Sequence, residues 1–290
     1  MADGEVLQRR CATHQPSSGD RARMADLERS ARGAIPEAAR QIVIPVVFIH
    51  IVDGGNGRIT AQQRADQISV LNAAYQSHGI RFSFDESKTV FVDDRNFFKM
   101  GHGSARERQC KSQHQAIAPE VGLNFYTAEP GGGLLGWATF PFELEGDPQM
   151  DGVVMLHSTL PGGSQPNYNL GATATHEVGH WLGLYHTFQD GCFDQGDEVT
   201  DTPPHSAPNF GKPLDSAQPH NLCPNAPAGS LCPIHNYMNY VDDDWMNEFT
   251  AGQVERLWAQ IAMLRTDLLE AGPMPEMAGA SARSALRVSW

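Results

Sequence analysis

Apolar positions along the chain change period several times, and each change marks an element. Residues 1–40 are polar and rich in Arg and Ala, and no core pattern begins before Gln41. Ile42–Val52 (IVIPVVFIHIV) is β-branched and almost continuously apolar, which predicts a central strand buried on both faces. Thr60 then stands as an N-cap before a stretch whose apolar residues Ala65, Ile68, Leu71, Ala74 and Tyr75 follow helical spacing, and Gly79 stops it. Ile80–Phe84, Thr89–Val92, Leu123–Ala128, Leu134–Phe140 and Val153–Leu156 read as further strands. A helix follows them, its start assigned to Thr173 or Thr175. Residues 187–235 are rich in Pro, Gly, Asp and Asn and have little periodicity. So long an irregular stretch is usually functional, and metals or disulfides often hold it. Helix returns over Thr250–Leu269, where Val254, Leu257, Trp258, Ile261 and Leu264 make one apolar stripe. This pattern divides the chain into an extension (1–40), a body (41–270, with subdomains 41–183 and 184–270) and a small-residue tail (271–290).

Composition narrows the function. The chain has 290 residues, enough for a large core, and a formal charge of −13. That balance argues against nucleic acid, whose phosphates need a basic surface. The longest apolar run is Ile42–Val52, too short to cross a bilayer, so no membrane partner is expected. Met1–Asp20 shows no apolar signal-peptide region. Cys11, Cys110, Cys192, Cys223 and Cys232 are an odd set, which leaves at least one free thiol in a monomer.

The chemistry concentrates in residues 176–186, His-Glu-Val-Gly-His-Trp-Leu-Gly-Leu-Tyr-His. This is a complete H-E-x-x-H-x-x-G-x-x-H, the extended zinc-protease motif. On a helix, His176 and His180 fall one turn apart on one face, and Glu177 sits beside them, able to hold a water. Gly183 lets the chain leave the helix sharply, which brings back His186 as a third ligand. Three histidines leave a fourth tetrahedral position open, the mark of a catalytic rather than a structural zinc site. His157, His205 and His235 have no ligand spacing and read as structural or surface groups.

Several blocks around this motif resemble the pappalysin family of metzincin zinc proteases: GLLGWATFP (133–141), DGVVMLHSTLPGG (151–163), YNLGATATHEVGHWLGLYHTFQDGC (168–192), GDEVTDTPP (196–204) and PIHNYMNYVDDDWMNEFTAGQ (233–253). The resemblance implies an α+β zincin fold: a twisted, mostly parallel sheet with a backing helix and an active-site helix. An irregular C-terminal subdomain with a Met-turn and a last helix would follow. It implies a secreted, monomeric endopeptidase acting on peptides or proteins, with zinc as catalytic and calcium as structural metal. Met238 would floor the histidines, and the Tyr240 hydroxyl would meet the developing oxyanion. Glu177 would be the general base. Substrate would add as a strand along Leu135, Gly136 and Trp137. Asp244 would select Arg or Lys just after the scissile bond, with Asp243 the next choice. Asp197 and Asp201 would hold calcium. Cys192 and Cys223 match one expected disulfide, whereas the second bridge of similar proteins meets Gly211-Lys212-Pro213 and Trp245 here. Cys11, in Arg9-Arg10-Cys11-Ala12-Thr13, resembles a pro-segment cysteine that closes the zinc's open position and keeps a precursor latent. Self-activation would then cut at Ala31–Arg32 or Ala39–Arg40. A competing reading is a catalytically weak, zinc-containing peptide-binding protein; the presence of both Glu177 and Tyr240 argues against it.

Overall fold

The computed structural model describes residues 10–31, 33–193, 196–214 and 221–270. The expected tail 271–290, residues 1–9 and Arg32 of one suggested cleavage bond lie outside the described residues. In chain order the elements are α1 (Ser18–Ala31), β1 (Ile42–Val52), α2 (Ala61–Tyr75), β2 (Ile80–Phe84), β3 (Val90–Asp93), α3 (Arg95–Phe98), α4 (Ala105–His114), β4 (Leu123–Ala128), β5 (Gly136–Ala138), β6 (Val153–Leu156), α5 (Ala172–Trp181), β7 (Phe210–Gly211), β8 (Tyr240–Val241), α6 (Ala251–Leu264) and α7 (Asp267–Glu270). Short 3-10 turns join several of them.

β1 is the hinge of the sheet order β2-β1-β4-β6-β5, and β3 also pairs with β1. Every pairing is parallel except β5 with β6, where Gly136 faces Met155 and Ala138 faces Val153. Burial on both faces explains the unbroken apolar run of β1. Ile44, Val46 and Phe48 pack with Ile68, Leu71 and Tyr75 of α2 and with Ala174, Val178 and Trp181 of α5. Ile49 and Ile51 turn the other way, toward Phe97, Phe98 and Cys110 of α3 and α4 and toward Trp137 of β5. The fold is thus α+β, with a mostly parallel sheet between helical layers, the architecture that the resemblance implied.

The Thr60 cap accepts from the Gln63 amide and forms a capping box, and Gly79 ends the turn at a φ of 83°. Four features depart from the sequence expectation. The zinc-motif helix starts at Gly171 (φ 89°) rather than at a threonine cap, and the Asp243 carboxylate accepts from the amides of Leu170 and Ala172. The last helix breaks at Arg265, because that residue turns inward to the Asp151 carboxylate and the Trp181 carbonyl. The long strand expected over Leu134–Phe140 shortens to Gly136–Ala138. Helices α1 and α4 were not expected at all. α4 buries a Glu107–Lys111 ion pair where an apolar stripe would stand: Lys111 also donates to the Met150 carbonyl, and Trp137 Nε1 donates to Glu107.

Candidate active site

All ten residues of α5 are buried, so its imidazoles face protein rather than bulk water. His176 and His180 share one face, as their spacing requires. Gly183 takes a φ of 105°, and a β-carbon there would meet Gln260 Cγ at 2.4 Å. Glycine is therefore needed twice over at the turn that brings His186 back. Met238 is fully buried against the helix; a β-carbon on Gly179 would lie 2.5 Å from its sulfur.

The tautomers show what the histidines hold. His176 Nδ1 lies 2.7 Å from the Tyr237 carbonyl, and His180 Nδ1 lies 2.7 Å from the Leu184 carbonyl. A carbonyl can only accept, so both Nδ1 atoms carry hydrogen and both Nε2 atoms carry lone pairs. Yet His180 Nε2 is 3.2 Å from His176 Nε2, lone pair to lone pair, and 3.1 Å from His186 Nε2. Facing lone pairs repel unless a cation lies between them. Tetrahedral zinc with nitrogen ligands at about 2.0–2.1 Å places them about 3.3 Å apart, which fits. Burial pushes His180 down to about 4 and His186 well below the usual histidine range, so both stay neutral and free to ligate.

Cys11 completes the group. Its Sγ and one nitrogen from each histidine lie within 4.8 Å of one another, and among the described residues no other such group of three or more His, Cys, Asp or Glu donors occurs. The strand carrying it runs parallel to β5: Leu135 donates to the Arg10 carbonyl, and Ala12 donates to the Gly136 carbonyl. The Cys11 thiol donates to Glu177 Oε2 at 3.2 Å, and the Thr13 hydroxyl donates to the same oxygen at 3.0 Å. Burial, then the Glu177 charge, push the thiol well above its ordinary value. A divalent cation beside it reverses that logic and favours the thiolate. The Tyr240 hydroxyl is 3.3 Å from His186 Nε2 and accepts from the Cys11 amide. Thr13 is the site residue that the sequence reading did not place here, with a Cys-x-Thr spacing as the available signal; Asp243, the second choice for the selecting carboxylate, instead accepts from the first amides of α5.

The other expected residues spread around this centre. The Gly136 face of β5 turns to Glu177, whereas Trp137 is buried on the opposite side, with its indole on Glu107. Asp244 is about half exposed and ion-paired with Lys212. Asp201 spends both oxygens on the start of α6, accepting from Thr250 Oγ1 and the Gly252 amide. Asp197 is buried; its Oδ1 accepts from the Val199 amide, while its Oδ2 has no hydrogen-bond partner among the described residues. Cys192 and Cys223 form a disulfide, and Cys232 is a buried free thiol donating to Asn209. Around Gly211-Lys212-Pro213, β7 pairs with β8 and Lys212 meets Asp244.

Comparison with known proteins agrees with this geometry. The family model described as Peptidase_M43, Pregnancy-associated plasma protein-A, matches residues 136–262. The chain is 37% identical over 266 residues to an extracellular metalloprotease of Colletotrichum graminicola, covering 86% of this chain and 88% of the relative. It is 39% identical to extracellular metalloprotease 1 of Coccidioides posadasii, covering 82% and 84%. Among solved structures, mature mirolysin of Tannerella forsythia in complex with a cleaved peptide superposes with a TM-score of 0.68 at 28% identity, over 79% of this chain and 96% of that one. A promirolysin variant from the same organism shares the fold over 90% of this chain and 97% of that one, at a TM-score of 0.75 and 24% identity. The chain belongs to the pappalysin family of metzincins, and it is an extracellular zinc-dependent metalloendopeptidase.

Proposed function

We propose that the protein is an endopeptidase made as a latent precursor, in which residues 1–40 are a pro-segment and 41–270 the catalytic unit. The observation that carries this reading is the single constellation of Cys11, Glu177 and three histidines, in which one short strand reaches every group that catalysis would need. Zinc, when bound, supplies Lewis acidity to a water and to the scissile carbonyl. His176, His180 and His186 would hold it. Glu177 takes the proton of the attacking water and delivers it to the leaving amine nitrogen. The Tyr240 hydroxyl donates to the carbonyl oxygen as that atom becomes negative. The main-chain groups of Leu135, Gly136 and Ala138 bind the substrate backbone, as they now bind residues 10–13. In the precursor, the Cys11 sulfur would join the three histidines in holding the ion.

For selectivity we keep Arg or Lys just after the scissile bond, with Asp244 as the selecting carboxylate. Its pairing with Lys212 supports a role in holding a cation, and a substrate side chain would have to displace that lysine. Calcium is assigned to the loop of Asp197, whose buried Oδ2 has no hydrogen-bond partner among the described residues and suits a hard cation. Asp201 acts there through α6 rather than as a free ligand. At the Ala39–Arg40 bond, Arg40 is paired with both oxygens of Glu255, which would have to open before a cut there.

The test is the full chain carrying Cys11→Ala, with and without Glu177→Gln, assayed on a denatured proteome by mass spectrometry alongside the parent. Loss of cleavage with about one zinc still bound per chain is expected; retained cleavage overturns the base assignment. Arg enrichment just after the cut should fall on Asp244→Ala. Cys11→Ala should be active without processing, and unchanged latency would refute the switch.

A further inference from the structure

The strand at Cys11 is not the only contact between the extension and the body. α1 lies along α6, and it does so through an unusual stripe: Arg21, Met24, Glu28 and Ala31 are its buried residues. Two of these four are charged, and both find partners on the body. Glu28 Oε1 accepts from Gln260 Nε2 at 2.7 Å, and its carboxylate meets the Arg256 guanidinium at 3.1 Å. Arg21 pairs with Asp190. The Glu28 and Arg256 side chains are only 12% and 3% exposed, so the pair is desolvated on both sides. Arg256 also donates to the Gly183 carbonyl and lies 4.1 Å from the Tyr185 ring centroid. Its next carboxylate, Glu198, stands 3.5 Å away. Taking α1 off would remove the nearer of the two carboxylates on Arg256 and leave it with Glu198 and the Gly183 carbonyl, and breaking one half of a buried ion pair is costly.

We propose that the α1-binding face of α6 is a docking site in its own right, and that after activation its occupant is the excised extension itself. Glu28 on Arg256 and Gln260 is the anchor. The cut piece is then a non-covalent inhibitor that must leave, or be degraded, before full activity appears. This rests on the latency proposed above. Both suggested cleavage bonds lie C-terminal to α1, so one released piece keeps Cys11, Thr13, Arg21, Met24 and Glu28 together. Its two contact regions, residues 10–13 on β5 and α1 on α6, are joined by only four residues, 14–17. A link that short gives the second contact a high effective concentration once the first has formed. The chemistry recognised is an amphipathic helix bearing one carboxylate opposite a buried guanidinium. Main-chain pairing at β5 is generic, so the helix supplies what a passing substrate lacks.

The experiment uses the zinc-loaded full chain with a recognition site for an unrelated protease placed in the exposed Gly33–Ala34 turn. After complete cutting, the fragment should co-elute with the body at micromolar concentration, and activity should rise on dilution. Glu28→Ala should raise its dissociation rate about tenfold or more, because a desolvated charge pair acts mainly on dissociation. As a second arm, synthetic peptides of residues 9–31, parent and Glu28→Ala, are added to the cut enzyme after the original fragment has been washed away. The variant peptide should inhibit about tenfold more weakly. Immediate full activity on cutting, or equal inhibition by the two peptides, overturns the proposal. Activity of the uncut chain would instead defeat the latency reading, whereas Glu28-dependent co-elution is read independently of it.

Discussion

At Gly136 the edge strand comes nearest to the catalytic carboxylate. A β-carbon placed there would stand 2.9 Å from Glu177 Cγ and 3.0 Å from the Val154 carbonyl oxygen. Its backbone does not need glycine's left-handed freedom, so the constraint is space alone. Gly136→Ala should therefore fold and keep zinc while pushing Glu177 off its position. Overpacking of this kind costs about 1–3 kcal/mol of stability. A displacement near 1 Å at the base should lower kcat about 100-fold. Steady-state kinetics with metal analysis checks it; an unchanged kcat would mean that Glu177 yields without consequence. Residues such as Glu177 and the histidines were legible because metal chemistry fixes both their identity and their spacing. Gly136 was legible only as part of a strand, because its reason lies in a contact across the sheet edge. Thr13 was illegible as a partner of Glu177 for the same reason: 164 residues separate the two groups.

Among the elements, the zinc-motif helix depends on a cap that comes from elsewhere in the chain. The first amides of a helix need acceptors, and the Asp243 carboxylate, 71 residues on from Ala172, supplies one at the start of α5. Removing it leaves buried donors at a positive helix end, where a carboxylate is worth about 1–2 kcal/mol. Asp243→Ala should lower Tm by about 3–8 °C by calorimetry. The neighbouring Asp244→Ala, losing only a half-exposed pair with Lys212, should change Tm little. Equal losses would mean that the cap contributes nothing. The strands and α2 could be read from the sequence because apolar period alone determines them. α4 could not, because Lys111 and Glu107 are buried as a pair at positions that read as surface. α1 has a helical stripe at 21, 24, 28 and 31, but charge at two of its positions hid it. In both helices the hydrogen-bond partners that make burial tolerable lie outside the helix, where a local pattern cannot see them.

Over the whole molecule, the irregular region from 187 to 235 must be held by something other than a core. The Cys192–Cys223 disulfide closes part of it, and the β7–β8 pair holds another part. Asp197 works against this. Burial pushes its carboxyl well above the ordinary range, the Val199 amide, Arg256 and Thr202 offsetting that only in part. A carboxyl whose folded pKa exceeds its unfolded value favours folding below the unfolded pKa. That contribution is lost as pH rises from about 4 through the folded value. A bound calcium inverts the sign, since it binds the carboxylate and not the acid. The zinc-loaded protein, stripped of calcium, should therefore lose stability as pH rises from about 4 toward neutrality on account of this group. Added calcium should raise Tm at pH 7.5 more than at pH 4.5. Asp197→Asn should raise the calcium-free Tm at neutral pH and abolish the calcium increment, since the amide needs no deprotonation and is the weaker ligand. Scanning calorimetry at both pH values, with and without calcium, reads all three effects. A calcium increment of the same size in Asp197→Asn would remove Asp197 from the ligand set and leave its buried charge to be balanced by the Val199 amide, Arg256 and Thr202.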